Sequence, residues 1–275
     1  MKTQYIIFTD LDGTLLDYHT YSFSAALPAL EYLKHNNIPL ILISSKTRRE
    51  LSHYQNELEL IGLPFVVENG SAIYTSIGFF QDLEGGEESG DYYRYSLGRT
   101  YNEIEEILIE ISDRYNYTIR GFHNATRKEI GERTSLNEDE LQMALAREFS
   151  IPLFYDPTAE KILKDEIEKY NLKILYGGRF MHLLSKVDKG KAMHIIMKGY
   201  RERLGEIDLK SIALGDSLND FTMLRSADFP ILVKKHDGSY ERRDTIENVC
   251  YSPGIGPVGW NSSLLNLLQN GGYNE

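Results

Sequence analysis

A chain of 275 residues is long for one compact unit and suits two lobes. With 41% apolar and 26% charged residues its composition is that of a globular protein, and 30 basic against 41 acidic residues, a formal charge of −11, argue against general binding to nucleic acid or an anionic membrane. A single cysteine, Cys250, excludes an internal disulfide and fits a reducing compartment.

In chain order, the apolar run Tyr5 to Phe8 opens a strand expected over Gln4 to Thr9, and it is followed at once by Asp10-Leu11-Asp12-Gly13-Thr14. If this strand lies buried in a parallel sheet, its carboxyl end opens on the crevice where such sheets bind ligands. Two carboxylates there repel unless a proton or cation lies between them, so the pair predicts a hard divalent metal, with Mg²⁺ as the expected ion. Gly13 permits the sharp turn. A polar turn after a strand explains the same residues taken alone. The run is too short, and too soon broken by Asp10, for a signal peptide, and no stretch reaches the roughly eighteen apolar residues of a membrane span. A cytoplasmic location is expected.

A helix is expected around Ser24 to His35, with Leu27, Leu30 and Leu33 on one face, then a strand from Pro39 to Ser44. Ser44 and Ser45 end that strand. Thr47 with Glu50 forms a capping box for a helix running to about Leu58, and a helix start is also an anion site. Pro64 to Val67 returns as a strand. Glu68-Asn69-Gly70 follows it as a plain turn, a contact to a ligand or a link to a second lobe. Strands alternating with helices predict parallel pairing with right-handed crossovers.

That rhythm changes in the acidic, glycine-rich stretch Asp82 to Asp91, read as a loop. Tyr92, Tyr93 and Tyr95 alternate as in a strand, although their rings could stack on a sugar. Thr100 and Glu103 cap a helix with Ile104, Ile107, Leu108 and Ile111 on one face. There follow an expected strand from Tyr115 to Phe122, a helix from Asn137 to Phe149, a strand from Leu153 to Tyr155, a helix from Pro157 to Tyr170, and strands at Lys173 to Tyr176 and Arg179 to Leu184. This strand-rich α+β unit is expected as an insert over residues 85–185, in a Rossmann-like α/β core made of residues 1–84 and 186–275.

The core rhythm resumes at Asp188. Ser211-Ile212-Ala213-Leu214 reads as a second strand ending in acids, Gly215-Asp216-Ser217-Leu218-Asn219-Asp220, with Ser217 able to cap a helix to about Ser226. Acids also favour a helix N-terminus for dipole reasons alone. Neighbouring parallel strands would bring Asp216 and Asp220 to the same sheet edge as Asp10 and Asp12. Asn248 to Tyr251 reads as a strand holding Cys250 as a buried thiol, and a last helix is expected near Asn261 to Gln269.

Phe8 to Thr14 and Gly215 to Asp220 resemble the first and last motifs of the haloacid dehalogenase superfamily of phosphotransferases. A strand-end serine at Leu40 to Ser45 and a lysine in Asp188-Lys189-Gly190-Lys191 supply the two between, in order. Ser44-Ser45-Lys46-Thr47, Glu68-Asn69-Gly70, Gly177 to Leu183 and Pro230 to Val233 are similar to the mannosyl-3-phosphoglycerate phosphatases, where many capped relatives instead have Thr-Gly-Arg at Ser45 to Thr47. The resemblance implies Asp10 as nucleophile, Asp12 as acid and base, and Mg²⁺ on Asp10, the Asp12 carbonyl and Asp216, supported by Asn219 and Asp220. It further implies Ser45, or alternatively Ser44, as a donor to the phosphoryl group and Lys189 as its counter-charge. Lys189 and Lys191 in isolation would be surface charge.

The same resemblance implies a small anionic sugar-phosphate substrate read by the inserted cap. Arg179 is then a candidate grip for the glycerate carboxylate, because a guanidinium fork matches a carboxylate. His182, two residues along a strand, would face the same side. Lys46 at the helix entry could add a cation near the phosphate or carboxylate. Against this, Arg179 after two glycines also reads as a turn residue, His182 as a core histidine and Lys46 as a surface cation. The presence of Asp10, Asp12, Lys189 and Asp216 separates an active enzyme from a ligand-sensing protein of the same build.

Overall fold

The computed structural model describes residues 3–80, 85–134, 136–177, 179–241 and 246–270. Asp82 to Glu84 of the expected loop and Gly178 lie outside them. The first half contains β1 (Gln4–Thr9), α1 (Leu27–His35), β2 (Leu40–Ile43), α2 (Arg48–Glu57), β3 (Phe65–Val67), β4 (Ala72–Ser76), β5 (Glu87–Ser89) and β6 (Tyr92–Ser96). It continues with α3 (Tyr101–Tyr115), α4 (Arg127–Thr134), α5 (Glu138–Leu145), β7 (Ser150–Leu153), α6 (Pro157–Glu166), β8 (Leu172–Tyr176) and β9 (Met181–Ser185). The chain closes with α7 (Lys189–Leu204), β10 (Leu209–Gly215), α8 (Phe221–Ser226), β11 (Phe229–Lys234), β12 (Cys250–Ile255) and α9 (Gly256–Asn270).

A nine-stranded sheet has the order β12-β11-β10-β1-β2-β3-β4-β6-β5, parallel from β12 to β3 and antiparallel beyond. Its central strands β1, β2, β3 and β10 are apolar on both faces where they are buried, as a covered parallel sheet requires. Ile7, Leu40, Leu42, Phe65, Ile212 and Leu214 face one buried cluster with Trp260, whereas Ile6, Phe8, Ile41, Ile43, Val66 and Ala213 face the other. Each such Leu, Ile or Phe contributes roughly 1.5–3 kcal/mol by leaving water.

The second sheet is three-stranded and antiparallel, β7-β9-β8, with its own core around Ile104, Leu108, Ile111, Leu163 and Leu183. The hairpin of β5 and β6, inside the region expected to be the insert, pairs with β4 and extends the large sheet.

Several expectations change. Tyr115 to Phe122 is not a strand: α3 runs to Tyr115, and Asn116 ends it in the left-handed conformation at φ 47°. Only Gly121 bridges to Leu153. The helix expected to reach Phe149 stops at Leu145, because Glu148 to Ser150 bond a core carboxylate instead. The strand expected at Leu153 to Tyr155 lies earlier, at Ser150–Leu153. Residues 167–170 tighten into a 3₁₀ turn after α6, as do 24–26 before α1 and 218–220 before α8. Short, polar α4 carried no periodic signal and was not expected. Cys250 does lie in a strand, but on the sheet edge, and is half-buried.

Candidate active site

Strands β1 and β10 are parallel neighbours in register, Thr9 beside Leu214, and the Asp10 amide donates to the Leu214 carbonyl at 2.9 Å. Two distant acidic motifs therefore leave the sheet at the same carboxyl edge. Beyond β1 the chain turns at Gly13 (φ 76°), where an added Cβ would stand 3.0 Å from Asp216 Oδ2. Sequence reasoning assigned no part to Trp260. Its buried indole N–H donates to Thr9 Oγ1 at 2.9 Å, and that hydroxyl donates to the Asp10 carbonyl at 2.7 Å, so α9 braces the strand end.

Asp10, Asp216 and Asp220 each offer an oxygen, all within 4.8 Å of one another. The Lys189 ammonium, wholly buried at the start of α7, bridges Asp10 Oδ1 at 2.5 Å and Asp220 Oδ1 at 2.6 Å. Asp220 spends its other oxygen on the amides of Asp216 and Ser217, at 3.1 and 3.0 Å. Both oxygens of Asp220 are thus engaged: the carboxylate orients Lys189 and shapes the loop beside Asp10 and Asp216, the three acids forming one cluster able to hold a cation. Asn219 faces sideways, donating to Asn69 Oδ1 at 2.9 Å and accepting from Ser217 Oγ at 2.6 Å.

Burial first, partly offset by Lys189, and then the surrounding carboxylates hold the Asp10 carboxyl well above its ordinary range. Burial and Asp220 push Asp216 up to about 7. Crowded, desolvated acids of this kind suit a divalent cation with oxygen ligands.

Ser44 and Ser45 follow β2, the neighbour of β1. Ser44 is buried and its Oγ accepts from the Lys46 amide at 3.3 Å, whereas Ser45 is half-buried. The Thr47–Glu50 capping box is present at the start of α2. Lys46, expected as surface or ligand-facing charge, pairs with Asp12 Oδ1 at 2.9 Å and with Glu50 at 3.8 Å. Burial opposes its charge, but those two anions outweigh it and raise its pKa.

Glu68-Asn69-Gly70 is more than a plain turn. All three residues have positive φ, 46°, 62° and 95°. The strand-end loop is tied in by the Glu68 amide to Lys46 O (3.0 Å) and the Asn69 amide to Ser44 O (2.9 Å). Buried Glu68 accepts from the Glu148 and Phe149 amides (2.8 and 3.3 Å) and from Ser150 Oγ (2.5 Å), clasping the segment that leads into β7. At Gly70 a Cβ would overlap the backbone of Asp188, next to Lys189. Gly70→Ala should therefore cost about 1–3 kcal/mol from backbone strain alone. The check is urea unfolding, and an unchanged midpoint would contradict it.

From the insert the structure brings in Arg147, which sequence reasoning missed because Ala146 to Phe149 read as the end of a helix. Its Nη1 donates to the Ser45 carbonyl (3.2 Å) and Ser150 Oγ (3.0 Å) and lies 3.6 Å from Glu68. Arg179 sits in the turn before β9 and donates to the Thr134 carbonyl at the end of α4, the tether of a turn residue. Its charge still bears on Tyr21 of the core. His182 is enclosed in the small sheet between Pro152 and Leu175. Burial and then Arg147 lower its pKa to about 3, so it is neutral near pH 7 and is no cationic grip. The tyrosines of β6 do lie on a strand, as their alternation predicts: Tyr95 is buried, Tyr93 donates to the Gly86 carbonyl at 2.8 Å, and the Tyr92 hydroxyl bonds Ser52 at 3.1 Å.

The model of the haloacid dehalogenase-like hydrolases matches residues 7–240, and the chain belongs to that family. A glucosyl-3-phosphoglycerate/mannosyl-3-phosphoglycerate phosphatase of Methanococcoides burtonii is 39% identical over 268 residues, 96% of this chain and 97% of the relative. One of the same description from Persephonella marina is 39% identical over 265 residues, again 96% and 97%. In fold, a haloacid dehalogenase-like hydrolase from Bacteroides thetaiotaomicron superposes with a TM-score of 0.67 at 16% identity, covering 96% of this chain and all of the other.

Proposed function

We propose that the protein is a Mg²⁺-dependent phosphatase that hydrolyses mannosyl-3-phosphoglycerate, and glucosyl-3-phosphoglycerate, to the glycosylglycerate and phosphate. The observation that carries this reading is the convergence of Asp10, Asp216 and Lys189 at one sheet edge, in a chain alike over 96% of its length to a phosphatase so described. The core is residues 1–84 and 186–275, with residues 85–185 as the cap and the β5–β6 hairpin fastening it to the large sheet.

Asp10 and Asp216, with the Asp12 carbonyl, would hold Mg²⁺, which supplies positive charge between the attacking carboxylate and the phosphate dianion. An Asp10 oxygen attacks phosphorus. The bond to the glycerate oxygen breaks, its electron pair stays with that oxygen, and Asp12 delivers the proton. Asp12 then takes a proton from water as the water oxygen attacks the aspartyl-phosphate, which frees inorganic phosphate and restores Asp10. Lys46 holds Asp12 in place until substrate arrives, and Ser45 or Ser44 bonds the phosphoryl oxygens beside Lys189. The cap excludes water and reads the leaving group.

A panel of glycosyl phosphoglycerates and hexose phosphates, assayed for phosphate release with EDTA and with added Mg²⁺, tests the reading. Rapid release from the glycosyl phosphoglycerates is expected, abolished by EDTA and restored by Mg²⁺. Good hydrolysis of hexose phosphates with none of the glycosyl phosphoglycerates would remove the substrate assignment.

A further inference from the structure

Tyr21 stands in a loop that the mechanism above does not use. Its φ is 55°, and among the described residues only Glu59 and Glu68 share positive φ without being Gly or Asn. Glu59 follows the end of α2, where a left-handed residue is ordinary, and Glu68 belongs to the site. A bulky aromatic side chain in this conformation is a costly choice that Gly or Asn would avoid, so the side chain itself calls for a reason.

The loop is built to hold it. The Tyr21 amide donates to the Asp17 carbonyl and the Asp17 amide to the Ser22 carbonyl, both at 2.9 Å. The Asp17 carboxylate accepts from the amides of His19 (3.1 Å) and Thr20 (2.9 Å) and from the Thr20 hydroxyl (2.9 Å). What is held remains open, for Tyr21 is 43% exposed and its hydroxyl meets no hydrogen-bond partner among the described residues. Lys46, the partner of Asp12, lies 5.0 Å from the ring centroid.

The Lys46 ammonium that lies over the ring also pairs with Asp12 Oδ1 at 2.9 Å, so the ring stands close to the acid proposed to protonate the leaving group, and the charges of Arg179 and Glu140 from the cap also bear on its phenol. The neighbouring Tyr18 is already occupied, stacked on His236 at 3.8 Å.

We propose that Tyr21 is a specificity residue whose ring forms the wall on which the glycosyl unit of the substrate packs. This rests on the glycosyl-phosphoglycerate reading above. A pyranose presents C–H groups to the electron-rich face of an aromatic ring, and a rigid ring held beforehand loses little entropy in meeting it. Leaving-group recognition then comes from the core as well as the cap.

The test compares wild type, Tyr21→Phe and Tyr21→Leu on mannosyl-3-phosphoglycerate and on 3-phosphoglycerate, which lacks the sugar. The readout is the ratio of the two kcat/KM values. Tyr21→Leu should lower that ratio at least tenfold, chiefly through KM for the glycosyl ester, while Tyr21→Phe, which keeps the ring, stays within about twofold of wild type. An unchanged ratio in Tyr21→Leu, or an equal fall in Tyr21→Phe, would overturn the proposal. Should Tyr21→Leu misfold and lose both substrates together, Tyr21→Asn, which suits the left-handed backbone and also removes the ring, takes its place with the same expected fall in the ratio, and an unchanged ratio there would equally overturn the proposal. Wild-type protein inactive on the glycosyl ester would instead refute the parent reading, before any variant is compared.

Discussion

Asp10→Asn is expected to abolish phosphate release, by on the order of 10⁴-fold or more, with the fold intact. The magnitude follows from losing the atom that forms the new bond, a class of change that costs this much where one residue carries the chemistry. An amide is a poor nucleophile and cannot accept the phosphoryl group to give an acyl phosphate. The fold should survive because Asn is nearly isosteric and one crowded anion is relieved: Asp10 faces Asp216 and Asp220 within 4.8 Å, and Lys189 keeps its bridge to Asp220 at 2.6 Å. Circular dichroism should match wild type. Full turnover by this variant would move the nucleophile elsewhere and undo the proposed mechanism.

The parts of this site that could be read beforehand are those where one strand and the residues after it carry the whole signal. β1 and β10 are apolar runs ending in aspartate, and buried parallel strands must open their carboxyl ends on a crevice, so Asp10 and Asp216 could be brought together with no coordinates. The capping boxes at Thr47 and Thr100 are equally local. What stayed hidden depends on where distant side chains turn.

Asp220 lies four residues beyond Asp216, a spacing that marks an acidic cluster but not that both oxygens of the second acid are taken by Lys189 and two backbone amides. Arg147 and the end of α5 were misjudged for a related reason: helical pattern continues to Phe149, but buried Glu68 offers the Glu148 and Phe149 amides a charged acceptor that competes with the next helical turn. The residues from Tyr115 to Phe122 have strand composition, yet the left-handed Asn116 redirects the chain before a strand can form. His182 was placed correctly on a strand, but its neutrality comes first from burial and then from Arg147, and both depend on residues distant in sequence.

Lys189→Met should destabilise the protein by about 3–5 kcal/mol at pH 8, measured by urea unfolding in EDTA, and by clearly less at pH 5. Methionine fills similar space but leaves Asp10 and Asp220 facing each other in a buried site, and breaking a buried ion pair from one side costs about this much. The pH dependence follows from proton linkage. Burial and neighbouring anions raise the Asp10 pKa above its ordinary 3.8, and Lys189 is the cation that pulls it down. Between 3.8 and the folded-state value the folded chain keeps a proton that the unfolded chain has lost, so stability falls as pH rises through that window. Without Lys189 the window extends further upward. As pH falls through that window the carboxyl takes up its proton and the repulsion is relieved, whereas as pH rises through it the charges must be carried or the proton held at a cost. Equal losses at the two pH values would show that Lys189 is not what neutralises this edge of the sheet, and would leave the phosphoryl group without its expected counter-charge.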